Sequence, residues 1–394
     1  MHRKMWTFRP ALILGLAMGY SALAGSLAYA ADKIKIGAVF DVTGADAALD
    51  GSALNGAKLA VKELNAAGGV LGQQIELISY DGKTDPTVIS TVVSQLINGD
   101  KVPVIVGFTT SDAVLASAPQ FSKAGIPFVT PGATSPKLPG QAGKQVFLAA
   151  FGDNVQAAVG AQFALKNLSA KTGYLITDDA SEYTTLLSGY FKDAFVHGGG
   201  QLLGEDHYKQ GDRNFQAQIT RLKALPNKPD VIYIAAQPDE IGLFVKQLRQ
   251  NGVKQPILGG DGYDTPLLLQ VAGQAANDVY YTTHSFVSPN ATGPIAEFAG
   301  KYQAEYGDAP QDAFSALGYD SVRLVVDAIG RAKSVDPEAI RVALAATTGF
   351  HGVTGIISYP NGSQIPQKSV SEIGVKDGAL TLAAQEVPDY IPAP

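Results

Sequence analysis

The 394-residue sequence contains no cysteine. Disulfides, thiolate nucleophiles and cysteine-based metal sites are thereby excluded. An oxidising compartment is permitted by this absence but not demonstrated by it. Tryptophan occurs once, as Trp6. Histidine occurs five times, as His2, His197, His207, His284 and His351, with no metal-ligand spacing. Each histidine reads as a surface or strand-edge residue. The sequence has no G-x-x-x-x-G-K-[ST] phosphate loop and no G-x-G-x-x-G opening a helix after a strand. It also has no G-x-S-x-G elbow and no H-E-x-x-H. Nucleophilic, zinc and dinucleotide chemistry therefore lack a motif, and no catalytic residue, cofactor or metal is expected.

What is present begins at the N-terminus. "MHRKMWTFRP" carries Arg3, Lys4 and Arg9, and "ALILGLAMGYSALAGSLAYA" then runs uncharged to Ala28-Tyr29-Ala30. A basic start, an apolar run and a small-x-small end make a secretory signal over 1–30, cleaved near Ala30, and imply an exported protein. A retained anchor is the rival, since the run is nearly long enough to span a bilayer. The Gly, Ala and Ser content and the A-x-A end favour cleavage. Beyond residue 30 the chain carries 27 basic and 36 acidic side chains, a net charge of −9. An acidic surface without a basic run argues against nucleic acid and anionic membranes as partners.

From Lys33 the chain repeats one grammar: an apolar strand, a small polar loop, a helix, a glycine, the next strand. In the first helix Ala57, Ala60, Val61 and Leu64 form a core-facing stripe at helical spacing, and Gly68-Gly69 end it. The same pattern resumes after about Ala150. Alternating strands and helices with short loops imply right-handed crossovers and parallel sheets. The fold class expected is α/β, two doubly wound parallel-sheet lobes of roughly four strands each around a hinged cleft. Lobe one would combine 32–152 with 284–368, and lobe two 153–283 with 369–394.

Ligands of open parallel sheets bind outside the carboxyl ends of the strands. That rule singles out six loops: Asp41–Gly51, Phe108–Asp112, Thr130–Ser135, Asp178–Tyr183, Ala235–Asp239 and Gly259–Thr265. Their Thr, Ser, Gly, Asp and Tyr also suit turns and caps, so each loop alone has a structural reading.

The markers "IKIGAVFDVTG", "NGAKLAVKELNAAGGVLGQQIELISYDGKTDP", "VGFTTSDA", "GIPFVTPGATSPKL" and "ILGGDGYDT", in this order, span most of the chain. Together they resemble the type I periplasmic binding proteins of the branched-chain amino-acid kind, the extracytoplasmic receptors of ABC importers. The resemblance implies that Ser111, at a helix start, grips a ligand carboxylate. Gly132, Ala133 and Thr134 would form a contact loop, with the Gly132 carbonyl accepting from an ammonium. Asp261 would pair with that ammonium and Tyr183 would close over the ligand. The side-chain pocket is expected near Leu49, Thr109, Gln237 and Tyr263. Leu49 stands where leucine-type members have an aromatic, Gln237 where they have a tyrosine, and Asp261 where they have the longer glutamate. The resemblance thus implies an amino-acid ligand, an inner-membrane ABC permease as partner, and a monomer. A carboxylate or amide lacking an α-amine remains open as ligand, as does an extracytoplasmic enzyme or sensor on the same scaffold.

Overall fold

The computed structural model describes residues 1–2, 4–7, 32–288 and 291–394. The apolar run of the expected secretory signal, and Ala30 with it, lies outside the described residues. The chain divides into Met1–Asp32 and Lys33–Pro394, and the second unit carries both large sheets and their helices. No helix among the described residues is long and apolar enough to cross a membrane.

The first sheet is built from β1 (Ile34–Phe40), β2 (Ile75–Asp81), β3 (Ile105–Gly107), β4 (Phe128–Thr130) and β5 (Val146–Leu148). Its order is β2-β1-β3-β4-β5, and every pairing is parallel. Strand β1 is apolar throughout its inner positions because it is covered on both faces, as parallel strands between helices must be. The connecting helices are α1 (Ala47–Ala66), α2 (Pro86–Ser94), α3 (Ser111–Ala124) and the short α4 (Leu138–Ala142). Helix α1 ends as its glycines require: Gly68 and Gly69 have φ of 104° and 78°, and Gly69 N–H donates to the Leu64 carbonyl.

After α5 (Asp153–Lys166) the second sheet takes β6 (Thr172–Asp178), β7 (Gln201–Tyr208), β8 (Val231–Ala235), β9 (Ile257–Gly259) and β10 (Val279–Thr283). Between them run α6 (Glu182–His197), α7 (Gln216–Lys223), α8 (Pro238–Gln250) and α9 (Pro266–Ala272). The chain then returns to the first lobe as α10 (Pro294–Tyr306), α11 (Ala313–Ala332) and α12 (Pro337–Ala345), followed by a small hairpin, β11 (Phe350–Gly352) and β12 (Gly355–Ile357). Helix α11 packs on α1 at unusually close range. A Cβ on Gly56 would stand 1.7 Å from the Ser315 carbonyl oxygen, and one on Gly318 would stand 1.9 Å from that of Ala53. Phe314, Leu317, Val322 and Leu344 consequently share one core with Ile36, Val106 and Phe147.

The second sheet has more strands than the expected four. Its order is β14-β13-β10-β9-β8-β6-β7, with β13 (Val370–Lys376) and β14 (Ala379–Glu386) antiparallel at one edge. The cause is local. Asp377 and Gly378 both have positive φ, 52° and 76°, the two-residue turn that folds a hairpin back on itself.

The chain passes between the sheets three times: after β5, after β10, and before β13. These crossings set the two rows of strand ends face to face.

Candidate ligand-binding site

In the first lobe the site starts from α3. Thr110 is the residue before the helix and Ser111 is its first residue, so Ser111 is not the cap. The Thr110 hydroxyl donates to Asp46 Oδ2 at 2.9 Å instead of capping. With no side-chain cap on α3, the first-turn N–H groups face the cavity end of the helix, where its dipole favours negative charge. Ser111 Oγ accepts from Ser135 N–H at 3.1 Å, which ties α3 to the loop after β4.

That loop, "TPGATSP", is held from inside. The Thr130 hydroxyl donates to the Phe108 carbonyl at 2.7 Å and accepts from Ala133 N–H at 3.1 Å. Gly132 leaves room for its neighbours: a Cβ there would stand 2.8 Å from the Phe314 ring and 2.9 Å from Thr109 Cβ. Ser135 starts the turn into α4, as its composition suggests, with Leu138 N–H donating to its carbonyl at 3.2 Å. Asp50, buried in the first turn of α1, accepts from Thr109 N–H at 2.7 Å, from the Thr109 hydroxyl at 2.5 Å and from Asp41 N–H at 2.5 Å. Burial pushes the Asp50 carboxyl well up, and these hydrogen bonds oppose it. Its role is to fix two loops, and the Thr109 hydroxyl is spent on it.

The second lobe presents acid. Asp261 sits in a 3₁₀ turn, Asp261–Tyr263, just after β9. Its Oδ1 accepts from Gln156 Nε2 at 2.9 Å and from the Tyr183 hydroxyl at 2.8 Å. Its Oδ2 lies 2.9 Å from His284 Nε2. The Tyr183 hydroxyl also accepts from Gly262 N–H at 3.0 Å. Gln156 Nε2 reaches a second carboxylate, Asp153 Oδ1, at 2.9 Å. Burial, and then the charge of Asp261, push the Asp153 carboxyl well above the usual range. The other Asp153 oxygen has no hydrogen-bond partner among the described residues.

Between these walls lies a cavity whose empty space, counted to its mouth, is about 260 Å³. It is lined by Leu49, Thr109, Thr110, Ser111, Gly132 and Thr134 from the first lobe, and by Tyr183, Gln237, Asp261 and Gly262 from the second. Phe314, from the start of α11, completes it. All but Phe314 fall within the six sequence segments singled out at the strand ends.

Two expected residues do not reach the cavity. Tyr263 is buried in the core of the second lobe, with its hydroxyl donating to the Ile234 carbonyl at 2.6 Å. A 3₁₀ turn rotates about 120° per residue, so a turn that aims Asp261 at the cavity aims Tyr263 elsewhere. Ala133 lies in the core under α3 and β4, because its neighbours Gly132 and Thr134 take the inward positions. Leu49 does line the cavity, but from the first turn of α1 and not from a loop. His284 is also corrected: it is buried against Asp261 instead of lying at the surface. A lone histidine in "TTHSF" carries no periodic signal that could have shown this. Phe314 was missed because it arrives from a distant helix, two residues after the Asp312 cap of α11.

Two carboxylates join the lobes around the cavity in opposite senses. Asp112 of α3 accepts from the Ser181 hydroxyl at 2.7 Å and from Glu182 N–H at 3.3 Å, at the start of α6. Asp264 of the second lobe accepts from Ala313 N–H at 3.0 Å, at the start of α11. Burial, then repulsion from Asp312, push the Asp264 carboxyl up to about 7. Among the described residues, no group of three or more His, Asp or Glu side chains is placed to hold a metal ion.

Two α/β lobes that enclose a small polar cavity at their strand ends define a solute-binding class of protein. Residues 33–370 match the family model described as periplasmic binding protein. The chain is 30% identical over 370 residues to the Leu/Ile/Val-binding protein BraC3 of Rhizobium johnstonii, covering 92% of this chain and 98% of that one. It is 28% identical to the leucine-, isoleucine-, valine-, threonine- and alanine-binding protein of Pseudomonas aeruginosa, covering 86% of this chain and 89% of that one. The branched-chain amino acid transporter substrate-binding protein LivJ of Streptococcus pneumoniae, solved with isoleucine, superposes with a TM-score of 0.83 at 32% identity, over 92% of this chain and 100% of that one. A Rhodopseudomonas palustris ABC-transporter solute-binding protein in complex with benzoate gives 0.80 at 20% identity, covering 92% and 98%, and shows the fold alone. The chain belongs to the type I periplasmic binding proteins, in their branched-chain amino-acid family.

Proposed function

We propose that the protein is the extracytoplasmic receptor of an ABC importer, which binds an α-amino acid between its lobes and delivers it to an inner-membrane permease. It acts without chemistry on the ligand, as a monomer exported by its N-terminal signal. The lobes are 32–152 with 284–368, and 153–283 with 369–394. The observation that carries this reading is the opposition of the two walls. One offers a helix start with Ser111 and Thr134, suited to a carboxylate. The other offers Asp261, suited to an ammonium. Charge-assisted hydrogen bonds contribute about 1.5–3 kcal/mol each. Three or four, less the cost of ordering, are enough for roughly micromolar affinity, about −8 kcal/mol. Contacts from both lobes exist only when the cleft is shut, so ligand favours the closed state. The names of the similar proteins, which bind leucine, isoleucine and valine, support the same class of ligand.

One observation favours a second reading, a carboxylate or amide without an α-amine. Both oxygens of Asp261 already take hydrogen bonds from within the protein. A thermal-shift screen of amino acids against their deaminated acids separates the two, together with mass spectrometry of any ligand that co-purifies. Stabilisation by amino acids supports the first reading. Stabilisation by the deaminated acids alone replaces it with the second.

A further inference from the structure

His284 occupies a special place. It follows β10 directly, on the second crossing between the lobes. Its ring stacks on Phe151 of the first crossing, with centroids 4.0 Å apart, and meets the edge of Phe314, a cavity-lining residue. Its side chain has no solvent exposure, and Nδ1 has no hydrogen-bond partner among the described residues. Nε2, at 2.9 Å from Asp261 Oδ2, is therefore the nitrogen that carries the proton in the neutral ring.

The charge on Asp261 depends on this neighbour. A carboxylate has about four acceptor sites. Gln156, Tyr183 and His284 use three, and Asp261 still lines the cavity, so one acceptor faces the ligand. A neutral donor leaves the full negative charge in place. An imidazolium would cancel it within the same pair. We propose that His284 sets the ligand class of the cavity: neutral, it leaves the Asp261 charge for a ligand ammonium, and protonated, it turns the site toward a carboxylate without an amine. The proposal rests on the amino-acid reading above and deepens it.

The surrounding groups keep His284 neutral near pH 7. Burial holds its pKa below the ordinary 6.5, against the opposing hydrogen bond it donates to Asp261. Buried Lys368, on the third crossing, donates to the Ala149 carbonyl at 3.2 Å and works in the same direction as burial. Asp153 of α5 and Asp264 lie beyond Asp261, whose charge helps burial to raise both. Phe151 and Phe314 bring no charge. As pH falls, His284 gains its proton, Asp261 is neutralised, and an amine-bearing ligand loses its partner.

The test measures calorimetric affinities at about pH 5 and about pH 8. The probes are leucine, valine, alanine and phenylalanine, each paired with its deaminated acid. The native protein should lose about tenfold or more of its preference for the amine on acidification. His284→Gln keeps an N–H for Asp261 without titrating, so its preference should change less than about twofold whatever its affinity at pH 8. Equal pH dependence in both proteins would overturn the proposal and leave the amino-acid reading standing. If only the deaminated acids bind, the amino-acid reading fails. The proposal, which rests on that reading, falls with it. A ligand-free arm decides the case in which no probe binds. Nitrogen-15 NMR, assigned by His284→Gln, should show the neutral Nε2–H tautomer at about pH 7. The Nδ1–H tautomer or a charged ring there would overturn it.

Discussion

The two walls of the cavity use opposite chemistry and opposite means of holding it. The first lobe offers backbone: an uncapped helix start and a proline-bracketed loop whose shape is fixed by Thr130 and by the absence of a Cβ at Gly132. The second lobe offers side chains: Asp261 and Asp153, bridged by Gln156 and fixed by Tyr183 and His284. Backbone dipoles cannot titrate, so the first wall presents its donors unchanged by pH, with the raised carboxyls Asp46 and Asp50 set behind it on Thr110 and Thr109. The second wall is a buried network whose charge depends on shared protons. The anion end of a ligand thus meets a constant field, while the cation end meets an adjustable one.

Breaking the adjustable wall should have the largest effect. Asp261→Ala removes the acid and leaves donors on His284, Tyr183 and Gln156 unpaired. A loss of roughly 100-fold in amino-acid affinity is expected, about 3 kcal/mol, with the fold retained by circular dichroism. Unchanged calorimetric affinity would remove Asp261 from the site. Ser111→Ala tests the constant wall and should cost about tenfold, since the helix N–H groups remain. A loss equal to that of Asp261→Ala would mean the hydroxyl, and not the helix start, carries that end.

Smaller effects sharpen the role of closure. Asp112 touches the opposite lobe at α6 and does not line the cavity. Asp112→Ala should weaken binding only about two- to fivefold, through the closed state alone. Small-angle scattering of the ligand-free protein should show a more open average, and no change in either reading would deny it a latching role. The smallest effect concerns stability. Asp264 and Asp41 are raised to about 7, and Asp46 and Asp312 to about 6, chiefly by burial. In that range the folded state binds more protons than the unfolded one, so stability rises as pH falls from about 8 to about 5.5. The opposite sign applies to His284, whose lowered pKa costs stability below about 6.5. The melting temperature should therefore be higher at about pH 5.5 than at about pH 8, and Asp264→Asn should narrow the gap. A flat native profile contradicts the burial argument.

Much of the cavity was legible in the sequence because parallel strands end where ligands bind. Ten of the eleven cavity residues lie in the strand-end segments that the strand grammar marks out. The errors are equally physical. Tyr263 was misplaced by two positions of a tight turn, and Ala133 by one position of a loop, where direction changes at every residue. The β13–β14 hairpin was readable as strands, but its partner β10 lies about 90 residues earlier, beyond any local pattern.

The sequence by itself determined the repeated strand–loop–helix unit, the two runs of it, and the polar residues at the strand ends. Those follow from periodicity, turn chemistry and glycine placement, which act over a few neighbours. Tertiary structure alone decided which charges face one another and which rings touch. Asp261, Asp153, His284 and Phe314 come from four separate segments, and only the three crossings between the sheets bring them within reach. On the proposal above, whether "PFVTPGATSP" faces an ammonium or a bare acid is decided through Asp261 by a histidine more than 140 residues further along the chain.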